Sequence, residues 1–504
     1  MTVLAIVVVL AAGVAWWGAR RARSANDYFA AGHRAGAWLV GVAGTAAAVS
    51  AFTYVGGPGL FLVTGAGSLW IVLSAPLTGA LQCRVVGEPV VELARRHGAL
   101  TPTELIGARF GRAARAAAAL VVVIGCVASG AVQAKAAAVL GESFLGVPGV
   151  AAAAIAILAT TLYTAAGGMR AGLLADAVQG GVMAAVALVL AGAALVAAGG
   201  PGAALAAIER ARPELLGSFG AMPPPRAFAL YLLFCLGTLA QPHYVQKFFF
   251  LRSRSELRRL PAILTGALAA MLAVWLGVGV AGTALVAQGR LAVARPDELT
   301  PAVMRLLGPW AVLLAGIAVL AALMSTTASF LNLAAAALTR DLPAALGRAA
   351  GSVTAGRAAT VVIGAAAVVL GVQSERTVAL LGVAGWGFFT AALLPVFAIG
   401  LAWPRARGGA VAAAIVAGAA VDLALEAVRS QLPPGLEPGL AGAAVGTLVL
   451  VSVSIIRKGV TCARPSTDLQ GRTTGGDKPR PYGPNGLTGH GPRATDNLSH
   501  ALES

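Results

Sequence analysis

Long apolar runs separated by short polar punctuation fill almost the whole chain. Runs of about 18 or more apolar residues are long enough to cross a bilayer core as helices that satisfy their own backbone hydrogen bonds. Thirteen such spans are predicted, at about 3–19, 36–58, 66–85, 114–139, 147–166, 173–198, 227–248, 260–287, 309–338, 357–373, 377–402, 408–427 and 439–456. Two are visibly interrupted. The span 36–58 runs into Gly56-Gly57-Pro58-Gly59, and 227–248 carries Gln241-Pro242-His243 near one end. Proline removes a backbone donor and glycine removes the helix preference, so such breaks free carbonyls and amides. A membrane tolerates this only where the backbone is buried in protein or lines a watery cavity.

The two interrupted spans are five apart, and each opens a block of five. A repeat unit with an odd number of spans reverses its orientation at the second copy. Membrane helices in general carry more Gly and Pro than soluble ones; read as a signal, the spacing predicts an all-α polytopic membrane protein of about 13 transmembrane helices with a five-plus-five inverted-repeat transporter fold. Its parts are a first helix and loop (1–35), a first repeat (36–198), a second repeat (227–402), two peripheral helices (403–458) and a polar tail (459–504). The tail lacks apolar periodicity and reads as disordered and cytoplasmic.

Composition agrees with this class. With 58% hydrophobic and 11% charged residues and a mean hydropathy of +0.82, the chain has too few charges to cover a soluble globule of its size. The net charge of +17 is spread as punctuation between spans and forms no single basic face, so it predicts topology and argues against a nucleic-acid partner. Arg20, Arg21 and Arg23 follow the first span and nothing basic precedes it, which puts the N-terminus outside and the C-terminus in the cytoplasm. The four cysteines show no paired spacing, and the five histidines are not spaced as metal ligands.

One segment stands out chemically. In Ala321-Ala322-Leu323-Met324-Ser325-Thr326-Thr327-Ala328-Ser329, hydroxyls crowd an apolar span, and Ala322, Ser325, Thr326 and Ser329 form one helical stripe from which Thr327 points away. Such hydroxyls can bond back to the preceding turn or ligate a hard cation such as Na+ in a neutral oxygen cage. Lys135 and Gln133 fall at the outer part of 114–139, where a lysine snorkels to the interface; attraction of an anionic substrate is the alternative reading. Asp422, Glu426 and Arg429 follow an i, i+4, i+7 pattern that predicts mutual pairing.

Six ordered stretches carry a resemblance. They are SANDYFAAGHRAGAW, SAFTYVGGPGLFLVTGAGSLW, LTPTELIGARFG, LYTAAGGMRAGLLADAVQGGVM, GTLAQPHYVQKFF and LMSTTASFLNLAAAALTRDL. Together they resemble the sodium:solute symporter family, which includes proline, pantothenate, monocarboxylate and sugar symporters. The resemblance implies the thirteen-helix form of the inverted-repeat fold and Na+ as coupling ion. It implies sodium ligation by the hydroxyls of Ser325 and Thr326 and the carbonyls of Ala46, Val49 and Ala322. It also implies a place for Asp176 on the sodium path to the cytoplasm, although an acid at a helix start is as readily a solvated cap. Gly57, Pro58, Pro242 and His243 fall in the structural or gating positions.

The chain departs from proline-carrying members. Ala48 stands where those members have a carboxylate, and Phe52, Cys126 and Phe234 stand at the aromatic positions around the solute. A modest, partly apolar pocket of Phe52, Gly56, Cys126, Phe234 and Thr238 is expected instead. The predicted activity is sodium-coupled import of a small organic solute, a carboxylate or amino acid, across the cytoplasmic membrane. A sugar or a vitamin such as pantothenate is the alternative cargo. A membrane sensor built on a transporter-like domain is the competing class, and the tail is too short for a kinase. A membrane-embedded enzyme would need clustered His, Asp or Glu at membrane depth, which the sequence lacks.

Overall fold

The apolar runs fold as helices throughout residues 35–456, the part of the chain that the computed structural model describes. Among the described residues no strand forms, and the one β-bridge joins Ala35 to Leu251. The principal helices are α1 (Ala37–Ala48), α2 (Gly57–Thr64), α3 (Arg112–Leu140), α4 (Gly149–Ala197), α5 (Pro224–Gly237) and α6 (Pro242–Phe248). They continue as α7 (Leu260–Ala287), α8 (Pro309–Ala336), α9 (Val353–Gln373), α10 (Val378–Leu394), α11 (Gly408–Ala427) and α12 (Pro438–Ile456). Small residues allow close packing between them. A Cβ on Gly277 of α7 would lie 2.3 Å from Ala191 of α4, so glycine is what lets these two helices meet. Large apolar side chains such as Leu162, Val196 and Leu448 remain exposed, as lipid-facing positions do.

The helix count differs from thirteen. Among the described residues nine helical stretches are long and apolar enough to span, and the bent pair α5–α6 makes a tenth. Three differences account for this. The predicted span 3–19 lies outside the described residues. The region 66–85 joins a run of helical segments from Phe52 to His97. The helix α4 runs unbroken for 49 residues where two spans were expected, with Gly149–Leu162 and Gly172–Ala197 as its apolar stretches.

The first break also lies elsewhere. The helix stops at Val49 (φ −78°, ψ 97°), and the Gly56-Gly57-Pro58-Gly59 stretch is helical, entered through a π turn at Phe52–Gly56. Ser50 Oγ accepts the Phe52 N–H at 3.2 Å, and Gln133 Oε1 on α3 accepts the Ala51 N–H at 3.1 Å. Side chains thus meet the amides freed where no glycine or proline stands. Pro58 leaves the carbonyl of Tyr54, four residues back, without its helical donor, and the Thr300 hydroxyl donates to it at 2.8 Å.

The second break falls where the proline predicts. Gln241 is extended (φ −73°, ψ 110°), and α5 and α6 meet at 46°. Pro242 orphans the carbonyl of Thr238, to which Gln82 Nε2 donates at 3.0 Å. Gln241 Nε2 donates to the carbonyls of Gly237 and Trp386 at 3.1 and 3.2 Å. Each carbonyl orphaned by these two prolines is therefore met by a side chain from another part of the fold.

Candidate functional site

The end of α1 meets the hydroxyl stripe of α8. Ser325 Oγ lies 2.9 Å from the Ala46 carbonyl oxygen and 3.1 Å from that of Ala322. A hydroxyl has one proton and cannot donate to both at full strength, so three oxygens converge on one point. Thr326 and Thr327 are each 2% exposed, and their hydroxyls have no partner among the described residues. A buried hydroxyl without a partner is costly, and a hard cation would turn that cost into ligation for Thr326. Val49 lies beside it, buried at the helix end.

Thr326 and Val49 also line an adjoining cavity of about 100 Å³. Its aromatic wall is a stack in which the Phe52 and Phe234 rings lie 5.8 Å apart, and those of Phe234 and Trp386 lie 5.1 Å apart. Trp275 meets Phe52 edge-on at 5.3 Å. Ser50, Thr53, Ser129, Gln133, Thr238 and Gln241 supply uncharged polar groups, and among the described residues no Asp, Glu, Lys or Arg lines the space. Because Gln133 Oε1 is held by the Ala51 N–H, its NH2 end is left for the cavity.

The structure brings together most of the sequence-predicted residues, but not all. Phe52, Phe234 and Thr238 line the cavity, whereas Gly56 and Cys126 do not. A Cβ on Gly56 would lie 2.9 Å from the Ala379 backbone nitrogen, so this glycine serves a helix contact. Cys126 is buried one turn before Ser129, in the apolar packing around α3. Gly57 gives Trp275 its place, since a Cβ there would come within 2.3 Å of the indole. Pro58 and Pro242 create the orphan carbonyls described above. His243 is buried, packs edge-on against Phe330 at 4.8 Å and borders both this cavity and a smaller one of about 30 Å³.

The smaller cavity holds Asp176. Its Oδ2 accepts from Lys247 Nζ at 2.6 Å, and the same ammonium lies 3.4 Å from Ser329 Oγ. Asp176 is thus the buried half of an ion pair, not a solvated cap. A second buried pair joins Arg115 to Asp341 at 2.6 Å. Sequence reasoning missed Lys247, Arg115 and Asp341 as partners. It also missed Gln241, Trp275 and Trp386 as cavity walls.

Lys135 Nζ donates to the Ser374 carbonyl, at the end of α9, at 2.8 Å. One pairing expectation changes. Asp422 stays out of its predicted triad and is 1% exposed, with Oδ1 unpartnered among the described residues. Arg429 pairs with Glu426 as expected and, at 2.5 Å, also with Glu437, and Arg376 takes Glu426 at 2.8 Å. Residue Glu437 arrives from the next loop, which the helical spacing could not show. Among the described residues no group of three or more His, Cys, Asp and Glu is placed to hold a metal.

A model described as the sodium:solute symporter family matches residues 28–417. The chain belongs to the sodium:solute symporter family. It is 26% identical over 468 residues to the osmoregulated proline transporter OpuE of Bacillus subtilis, covering 88% of this chain and 92% of that one. It is 28% identical over 411 residues to the sodium/pantothenate symporter of Escherichia coli, covering 78% and 83%. Among solved structures, the substrate-bound outward-open state of a Na+-coupled sialic acid symporter matches with a TM-score of 0.75. That match has 19% identity and covers 90% of this chain and 97% of that one. A closed, bromovinylhydantoin-bound structure of Mhp1, a nucleobase-cation-symport-1 family transporter, matches at 0.53 with 16% identity, covering 85% and 94%. The protein is thus a multi-pass membrane transporter of the inverted-repeat class, a sodium-coupled symporter of a small organic solute and not an enzyme.

Proposed function

We propose that this symporter imports a small solute bearing a carboxylate, an amino acid in the first place, with sodium held by Ser325, Thr326 and the carbonyls of Ala46, Val49 and Ala322. One observation carries the reading: the Thr326 hydroxyl, unpartnered among the described residues, forms part of the wall of a cavity that no charged side chain among those residues lines. An anionic group in such a cavity has sodium as its nearest counter-charge, so ion and solute stabilise each other, which is the coupling symport needs. Gln133 would donate to the carboxylate, and the faces of Phe52, Phe234 and Trp386 would receive an apolar or ammonium end. The proline and pantothenate carried by relatives both have a carboxylate, which supports this choice over a sugar.

In the same reading, residues 36–198 and 227–402 are the inverted repeats that rock against each other, 403–458 is peripheral and 459–504 is a tail. The N-terminus is outside and the C-terminus is cytoplasmic, in the cytoplasmic membrane. Asp176 lies on the inward path of sodium, while Pro242 and His243 stand between the two cavities.

The test is a thermal-shift screen of the purified chain against amino acids, monocarboxylates, pantothenate and sugars, in sodium and in potassium. A carboxylate-bearing solute should raise the melting temperature more in sodium. Ser325→Ala with Thr326→Ala should remove that sodium advantage, a loss of about tenfold or more in apparent sodium affinity. A stabilising effect equal in both salts would defeat the reading.

A further inference from the structure

Away from the aromatic cavity, arginines gather around another space. A cavity of about 380 Å³ lies where the starts of α5 and α10 meet the loop before α12, and it shares no lining residue with the aromatic cavity. Among the described residues, Arg226, Arg376 and Arg429 line it against a single acid, Glu437. Two of these arginines have carboxylate partners: Arg376 meets Glu426 at 2.8 Å, and Arg429 meets Glu426 and, at 2.5 Å, Glu437. Arg226 is not so held. Its Nε is buried without a partner among the described residues, and a buried N–H left unpaired is costly. The walls are preformed. Pro433 and Pro434 fix the backbone of the loop. Gly435 follows at φ +100°, and a Cβ there would lie 2.6 Å from Pro225, so glycine lets the loop close on the start of α5. Leu380 and Leu432 add apolar surface. The volume falls in the range of small-molecule pockets and far exceeds what a bare inorganic ion fills.

We propose that this pocket is a binding site for a small organic carboxylate with an apolar body, separate from the aromatic cavity, with the Arg226 guanidinium as its principal ligand. A guanidinium offers a carboxylate two parallel N–H bonds. The surplus of arginine over glutamate supplies the charge, and the leucines and prolines receive the apolar part. Arg226 lies eight residues before Phe234 on α5, and Leu380 lies six before Trp386 on α10. The pocket therefore sits about 9–12 Å along the same two helices from the stacked rings of the aromatic cavity. A bound carboxylate bridges the start of α5 to that of α10. None of Ala46, Val49, Ala322, Ser325 and Thr326 lines this space, so its occupancy does not depend on sodium.

The experiment is radioactive benzoate binding to the purified full-length protein, in sodium and in potassium. Binding should be saturable and equal in the two salts, and benzamide, the uncharged counterpart, should fail to compete. Arg226→Gln should weaken binding about tenfold or more, the loss of a charge-assisted contact. Arg226→Lys, which keeps the charge and loses the fork, should weaken it less. The Lys variant also guards against the Gln variant failing to fold. Inorganic phosphate competing as well as unlabelled benzoate would overturn the carboxylate assignment. The absence of saturable binding, or binding that the folded Arg226 variants leave unchanged, would overturn the site. Binding that requires sodium would put benzoate in the aromatic cavity, overturning this inference while leaving the sodium-site reading intact.

Discussion

Asp341 and Asp176 are buried carboxylates, each paired with a cation, and they are satisfied to different degrees. Asp341 is saturated: one oxygen accepts from Arg115 Nε at 3.1 Å and Nη2 at 2.6 Å, and the other is met by the hydroxyls of Thr101 and Thr103. Asp176 has a single ammonium on one oxygen and nothing among the described residues on the other. A planar guanidinium with two hydroxyls fixes a geometry, whereas an ammonium on a flexible stem marks a point charge that another cation can replace. The first pair ties the start of α3 to the π turn Ala337–Asp341 that ends α8. The second sits beside the hydroxyl stripe, with Ser329 Oγ 3.4 Å from the ammonium. The difference separates a saturated joint from a half-satisfied one.

The largest expected effect comes from breaking the saturated joint. Arg115→Met should cost about 3–5 kcal/mol of stability, because it strands a buried carboxylate. Lys247→Met should cost less, because it removes a single hydrogen bond from Asp176 where Arg115→Met removes two from Asp341. Denaturation of the two variants measures this. Equal losses would erase the distinction.

A smaller effect tests the hydroxyls. Thr103→Val should cost about 1–3 kcal/mol, since Asp341 loses its closest hydroxyl donor. Ser329→Ala, whose oxygen lies 3.4 Å from Lys247, should cost under about 1 kcal/mol. Melting temperatures of the two variants read the contrast directly.

The smallest effect concerns another buried carboxylate, half-satisfied like that of Asp176. Asp297 lies in the loop before residue 299, with Oδ2 accepting the Val378 N–H at 2.9 Å and Oδ1 unpartnered among the described residues. Burial pushes its carboxyl above the ordinary range; the Val378 N–H and the charges of Lys135 and Arg295 oppose this only in part. A folded-state pKa above the unfolded value means that the proton is held better in the folded protein. The associated stability is full below about pH 4, the ordinary Asp value, and is lost as the pH rises through the elevated value. Asp297→Asn should therefore flatten the decline in melting temperature from about pH 4 to about pH 7, by about 1 kcal/mol or less. An unchanged slope would show that burial alone does not make a half-satisfied carboxylate pH-sensitive here.

The two breaks show how much of the fold was legible. The break at Pro242 could be read because a missing donor is a property of the residue itself. The break at Val49 could not, because it depends on Gln133, 82 residues away, accepting the Ala51 N–H. The Gly56-Gly57-Pro58-Gly59 stretch misled for the same reason in reverse. Thr300 repairs the carbonyl that Pro58 orphans, so the helix continues. In the site, the hydroxyl stripe was visible as a period along α8, and Gln133 was visible as a polar residue in an apolar run, without the contact to Ala51 that fixes its place. Trp386 and Gln241 gave no local signal, since aromatic and polar residues near helix breaks have many uses.

Apolar run length, charge punctuation and the i, i+3, i+4, i+7 hydroxyls determined from sequence alone that this is a helical membrane protein with a cation-suited stripe. These are one-dimensional quantities, set by hydrocarbon thickness and helix pitch. Only the tertiary structure decided which carbonyls face that stripe, where the first helix opens and that Lys247 reaches Asp176. Each of those facts is a hydrogen bond or ion pair between residues 71 to 279 positions apart, and local sequence does not encode which distant group will satisfy a freed backbone atom or a buried charge.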